Sequence, residues 1–271
     1  MRTSMSDIDE SQSKANIVMV TDGGSVPNPR EWRLINAWSR ALTGALCSIF
    51  CLCVFKPDPY QRILLYLPDG ILVTFQITLL AICLAVPIGL LTGLGRISRN
   101  PVCKLLASTY VEIIRGSPLL VQLFYIYYAL AYFIRVSAFT SAVVALSVCY
   151  GAYMGEVFRA GIMAVPKGQD EAARSLGFNR VQTMFYVILP QAWRTILPPI
   201  GNECIAMLKD TALVSILAVP DIMQRARSVV GTTYLYFETY TMLALIYLVI
   251  TLLLSKGVSI MEARLNYYDG K

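Results

Sequence analysis

GILVTFQITLLAICLAVPIGLLTGL, residues 70–94, decides the fold class. It contains no Asp, Glu, Lys or Arg. At ~1.5 Å of rise per helical residue it is long enough to cross ~30 Å of hydrocarbon. Backbone groups in lipid must be satisfied inside the segment, so the run is predicted to be a helix. Five more apolar runs accompany it, at 37–55, 118–134, 139–158, 198–219 and 240–254. Those at 118–134 and 240–254 are short and are expected to extend by a turn into their flanks. Hydrophobic residues make up 56% of the 271 residues and charged ones 15%, with a mean hydropathy of +0.58. A soluble domain carries about 25% charged residues. The expectation is an all-α membrane protein with about six transmembrane helices.

Composition also excludes chemistry. The chain has no histidine, which removes imidazole relays, His metal ligands and His-ligated haem. Cys47, Cys51, Cys53, Cys83, Cys103, Cys149 and Cys204 fall in or beside apolar runs and form no paired CxxC set. They read as small packing residues, with no metal site and no cofactor implied. The net charge of +6 is not read as a nucleic-acid footprint, because in a membrane chain the placement of charge by loop is what informs. No GxxxxGK[ST] stretch and no nucleophile–base set is present, so neither an ATPase domain nor an enzyme is expected.

Residues 1–36 are polar and turn-rich and are expected to form a disordered tail. The first apolar run starts too late, and lacks the small-residue site, for a signal peptide. With this tail in the cytoplasm, the inside segments carry Arg2, Lys14, Arg30 and Arg33, then Arg96, Arg99 and Lys104. The next inside segment carries Arg159, Lys167, Arg174, Arg180 and Arg194, and the last carries Lys256, Arg264 and Lys271. The outside segments carry Lys56, Arg62, Arg135, Arg225 and Arg227. The positive-inside rule therefore puts both termini in the cytoplasm, together with the connection from about Arg159 to Leu197. That connection is not a plain linker. Ala172, Ala173 and Leu176, then Met184, Val187 and Ile188, recur at helical spacing. Pro166 can start a helix and Gly177 can end one, so two short helices at the membrane surface are expected.

The connection reads EAARSLGFNRVQTMFYVILP from Glu171 to Pro190. It resembles the signature of permease subunits of ABC importers: EAA, a glycine four residues after the second alanine, and a hydrophobic-x-Leu-Pro ending. Glu171, Ala172, Ala173, Gly177, Leu189 and Pro190 supply it, with Val187 where that family usually has Ile. VEIIRGSPLLVQLFYIYY (111–128) resembles the RGTPLLVQ segment of the polar amino acid (His/Glu/Gln/Arg/opine) branch, with Ser117 for Thr. GAYMGEVFRAGIMAVPKGQDEAARSLG (151–177) and LPPIGNECIAMLKDTALVSILAVPDI (197–222) resemble the branch's neighbouring stretches.

The resemblance covers about residues 65–265 and implies the type I ABC importer permease fold. That core commonly has five spans, so 37–55 is an additional N-terminal helix. The implied organisation is a tail at 1–36, the extra helix, and a permease domain whose cytoplasmic coupling loop spans 166–190. The resemblance also implies an inner-membrane location, a separate dimer of ATPase subunits and a second permease, identical or homologous. It further implies an extracytoplasmic solute-binding protein and an amino-acid substrate. In the coupling loop, Ala172 and Ala173 permit close docking and Glu171 favours the positive end of the helix dipole. Gly177 lets the chain turn. With Arg174 and Leu176 these residues form the expected ATPase-coupling set. An opine or another small solute is the alternative cargo, and a secondary transporter or channel is the alternative class. No inverted repeat supports that second alternative.

Ionisable groups inside a span usually face a cavity or a partner. Asn202 and Lys209 would share one face of the span at 198–219, and Glu203 and Asp210 the adjacent face. With Ser215 they form a candidate substrate pathway for a zwitterionic solute. Equally open is an internal Lys–Asp or Lys–Glu pair that holds the bundle or the dimer together. Glu112 and Arg115 have the i,i+3 spacing of an ion pair. Glu156 and Arg159 stand at the end of the fourth run and read as structural or interfacial.

Overall fold

A computed structural model of the chain describes residues 29–129, 132–133 and 136–266. The expectation for the polar tail falls, over 1–28, outside the described residues. Two units divide the chain, 1–43 and 44–271. In the first, the described residues belong to α1 (Pro29–Phe55), so the helix begins ahead of its apolar part, Ala37–Phe55. Thr43 returns its hydroxyl to the Ser39 carbonyl at 2.8 Å, the usual way a hydroxyl is satisfied within an apolar helix.

The described residues of the second unit form helices joined by short connections. After α1 come α2 (Pro57–Tyr66), α3 (Pro68–Ile97), α4 (Pro101–Gly116) and α5 (Leu119–Phe124), which continues as a π-helical turn to Ala129. α6 (Ala138–Ala164) and α7 (Lys167–Ser175) follow. α8 (Arg180–Gln182) runs through the π-helical stretch Thr183–Ile188 into α9 (Leu189–Asp210). A 3-10 segment, Thr211–Leu217, precedes α10 (Ile222–Thr233) and α11 (Tyr236–Asn266). Among the described residues four stretches are long and apolar enough to cross a membrane: Ala37–Phe55, Pro57–Ile97, Ala138–Ala164 and Tyr236–Leu265.

Local chemistry explains the boundaries. Proline opens α2, α3 and α4, where its missing N–H costs nothing. Asn100 caps α4 by accepting from Val102 N at 2.9 Å, and Ser137 caps α6 by accepting from Thr140 N at 3.1 Å.

The helix pair α3–α6 is the spine. Ala81 and Ala85 are fully buried, and Gly89 and Gly93 lie against Met154 and Phe158. From the other side, Gly151 lies against Ile88 and Gly155 against Thr92. A Cβ on Gly89 would come within 2.5 Å of Met154 Cβ, and one on Gly155 within 2.9 Å of Thr92 Cγ2. Lipid gives apolar side chains no reason to prefer one another, so close backbone approach is what holds such a pair. The order of these contacts makes the two helices parallel. The connection between them, through α4 and α5, returns the chain to the starting side. α9 is antiparallel to α6: Ile196 fills the space beside Gly161 near one end of the pair, and Tyr150 meets Asp210 toward the other; Trp193 lies 6.0 Å from the Phe158 ring. A second apolar cluster, of Tyr60, Ile63, Leu67, Ile222, Ala226 and Met242, joins α2, α10 and α11 at the end where α3 begins.

Of the third apolar run, 118–134, Leu119–Ala129 is apolar helix starting directly after Pro118, and 130, 131 and 134 lie outside the described residues. Two expectations are corrected. The fifth run is not one α-helix, because α9 ends at Asp210 and a tighter 3-10 coil follows to Ala218 at φ 58°. The second surface helix merges with α9. Pro190 has no N–H to give, and the π-helical turn just before it loosens the hydrogen-bond ladder without ending the helix.

Candidate functional site

α7 is a short helix that the chain presents outward. Its C-terminus is closed by a Schellman arrangement. Phe178 N donates to the Ala173 carbonyl at 3.2 Å and Gly177 N to Arg174 at 2.9 Å, with Gly177 at φ +88°. Only glycine takes that conformation without strain. Asn179 then starts the next helix with a reciprocal capping box: Gln182 N donates to its side chain, and the Gln182 side chain accepts from Asn179 N, both at 2.9 Å. Two motifs back to back thus fix the angle between α7 and α8. Ala173 is buried and anchors α7, whereas Glu171, Ala172 and Gly177 are exposed. Arg174 is half-buried and paired with Asp170 at 3.1 Å. Leu176 is 80% exposed, and Val181, Phe185 and Tyr186 are exposed as well. Glu171 lies one residue beyond the first turn; the acid in that turn is Asp170. The dipole argument made for Glu171 therefore belongs to Asp170.

The polar residues of α9 divide. Asn202 and Lys209 are exposed, Glu203 and Asp210 half-buried, and Ser215 buried with its hydroxyl donating to the Ala212 carbonyl at 2.7 Å. Asp210 accepts a 2.8 Å hydrogen bond from the Tyr150 hydroxyl. Tyr150 stands near the middle of α6, so Asp210 lies at mid-depth, where the α-helix gives way to the 3-10 segment. Among the described residues Lys209 forms no ion pair within the chain.

One turn or two along α6, Glu156 gathers three arginines. Arg96 of α3 pairs with it directly. Arg159 binds its Oε2 through Nε and Nη2 at 3.0 and 2.9 Å, and Arg115 of α4 stands at 3.8 Å. Arg115 thus turns to α6 rather than to Glu112 on its own helix, and it lies over the Tyr153 ring at 5.2 Å. Tyr153 in turn is 5.8 Å from Tyr150, ring to ring. Sequence reading singled out Glu156, Arg159 and Arg115 separately but missed Arg96, Tyr150 and Tyr153. The i,i+3,i+6 spacing of Tyr150, Tyr153 and Glu156 was the signal available.

Elsewhere Asp221 is fully buried and caps α10, accepting from Gln224 N at 2.9 Å and Met223 N at 3.3 Å. It lies beyond the run at 198–219. Burial pushes its carboxyl up to about 6, against the lowering effect of those N–H donors and of Arg227.

Comparison with known proteins converges on one group. The family model described as "Binding-protein-dependent transport system inner membrane component" matches residues 85–267. The L-cystine transport system permease protein TcyB of Bacillus subtilis is 40% identical over 208 residues, 76% of this chain and 88% of that protein. The putative glutamine transport system permease protein GlnP of Rickettsia typhi is 38% identical over 208 residues, 76% and 95% of the two chains. Among solved structures, a chain of an amino acid ABC transporter with histidines is 44% identical with a TM-score of 0.71, covering 78% of this chain and 97% of its own. A chain of the inward-facing MetNI methionine ABC transporter superposes with a TM-score of 0.66 at 19% identity, covering 77% and 98%, and shares the fold.

Proposed function

The chain belongs to the family of binding-protein-dependent transport system inner membrane components, and we propose on that premise that α7 is the joint through which a separate ATPase drives a polar amino acid through the helix bundle. The protein is a permease subunit of an amino acid ABC importer and lies in the membrane. The observation that carries the coupling role is the presentation of α7. Two capping motifs hold it at a set angle, and Leu176, Val181, Phe185 and Tyr186 are all exposed. Glu171, Ala172, Ala173, Arg174, Leu176 and Gly177 form the docking set. Asn202, Glu203, Lys209, Asp210 and Ser215 mark the substrate route, with Glu203 and Asp210 toward the bundle interior.

The full machine comprises two ATPase subunits, a second permease, identical or homologous, and an extracytoplasmic binding protein. The membrane is the bacterial cytoplasmic membrane. Both termini and α7 face the cytoplasm, in keeping with the Lys and Arg distribution. Glutamine and cystine, named for the relatives, set the cargo class; an opine or another small solute would use the same parts.

The test is association. Gly177→Val forces a β-branched residue into φ +88° and should tilt α7, and Glu171→Lys reverses the exposed charge. Each should insert into membranes normally yet copurify poorly with its ATPase subunit. Normal copurification of both variants would remove α7 from the joint.

A further inference from the structure

The polar residues on α9 offer two carboxylates to a zwitterion, from Glu203 and Asp210, but a free amino acid also brings a carboxylate that needs a cation. Lys209 is exposed, on a different face of α9 from the two acids. Arg115 is better placed. Its guanidinium stacks on Tyr153, the neighbour of the Tyr150 that holds Asp210. It is also near enough to Glu203 for the two charges to act on one another. Its one ion-pair partner among the described residues is Glu156, at 3.8 Å, and that carboxylate is already engaged by Arg96 and by both near nitrogens of Arg159. With 45% of its side chain exposed, Arg115 keeps donors of its planar fork free, the geometry that takes a carboxylate through two parallel bonds.

We propose that Arg115 is the carboxylate-recognising residue of the transport route, holding the α-carboxylate of the solute while Glu203 and Asp210 face its α-amino group. The proposal rests on the reading of α9 as the route and adds to it a cation from another helix. Three arginines around one glutamate are thus more than a structural pair requires. Arg96 and Arg159 fix Glu156, and Glu156 with the Tyr153 face holds Arg115 in position without using up its hydrogen-bonding capacity. The route would accept solutes with a free α-carboxylate and reject those in which it is masked as an amide.

The test uses the full-length chain in lipid nanodiscs, without binding protein, exposed to an equimolar mixture of the twenty L-amino acids. Binding is read by saturation-transfer NMR. The wild type should give signal from at least one component and should bind the α-amide of that component less well. Arg115→Gln should weaken binding about 10-fold or more, as expected for loss of a charge-assisted bond. It should also abolish the distinction between acid and amide, while Arg115→Lys should keep part of both. Signal retained in Arg115→Gln but lost in Glu203→Gln would overturn the role of Arg115 and leave the route standing. Signal retained in both would overturn the route itself, and absence of signal from the wild type would overturn both. Failure of Arg115→Gln to accumulate in membranes would make Arg115 a strut of the Glu156 cluster and would also overturn the proposal.

Discussion

At the scale of single residues, charge placement decides what each group can do. Lys209 is unpaired among the described residues and Asp210 leans on Tyr150. Removing either charge therefore strands no ionic partner, a loss that would otherwise cost ~3–5 kcal/mol. Lys209→Met and Asp210→Asn should each accumulate to wild-type levels, and uptake should fall with Asp210→Asn. If each single variant were lost from the membrane and the double variant restored it, an ion pair would exist after all. Asp221 gives a pH prediction. Burial holds its folded pKa at about 6, above the ordinary carboxylate value of 3.8. The contribution is therefore fully present below about 4 and is lost as pH rises through 6. Asp221→Asn, which still caps α10, should remove this decline between pH 4 and 6 from a thermal-unfolding series in detergent. An unchanged decline would show that Asp221 titrates normally.

At the scale of elements, the account rests on close backbone approach in α3–α6. Gly155→Leu would drive a side chain into Thr92, where overpacking costs ~1–3 kcal/mol or more. The variant should fail to accumulate. Gly257→Ala on α11 has nothing within 4 Å and should be neutral or stabilising by up to about 1 kcal/mol. Equal accumulation of the two would undo the spine. The contact was legible in the sequence as Ala81, Ala85, Gly89 and Gly93 facing Ser147, Gly151 and Gly155, all at four-residue spacing, but reading by hydropathy alone passes over it. The same reading found the run at 70–94 because length and the absence of charge suffice there. It failed at 198–219, because hydropathy does not register a change from α to 3-10 coil after Asp210. The helix α7 was legible because Pro166 and Gly177 act through local backbone rules. Glu156 and its arginines were not, since they come from three helices whose packing no local pattern encodes.

At the scale of the whole molecule, topology and energy coupling must agree. Reporter fusions after Lys14, at Arg174 and after Lys271 should report cytoplasm, and those at Asp58 and Gly231 the outside; an outside N-terminus would contradict the positive-inside assignment. The central claim is that hydrolysis by a separate ATPase, transmitted through α7, moves an amino acid through this bundle. The most direct measurement is accumulation of a labelled L-amino acid mixture by proteoliposomes holding the permease reconstituted with an ATPase subunit, binding protein outside and ATP inside. The account predicts accumulation that requires ATP and the binding protein and is abolished by Gly177→Val. Accumulation without ATP, driven by an ion gradient and indifferent to Gly177→Val, would contradict it.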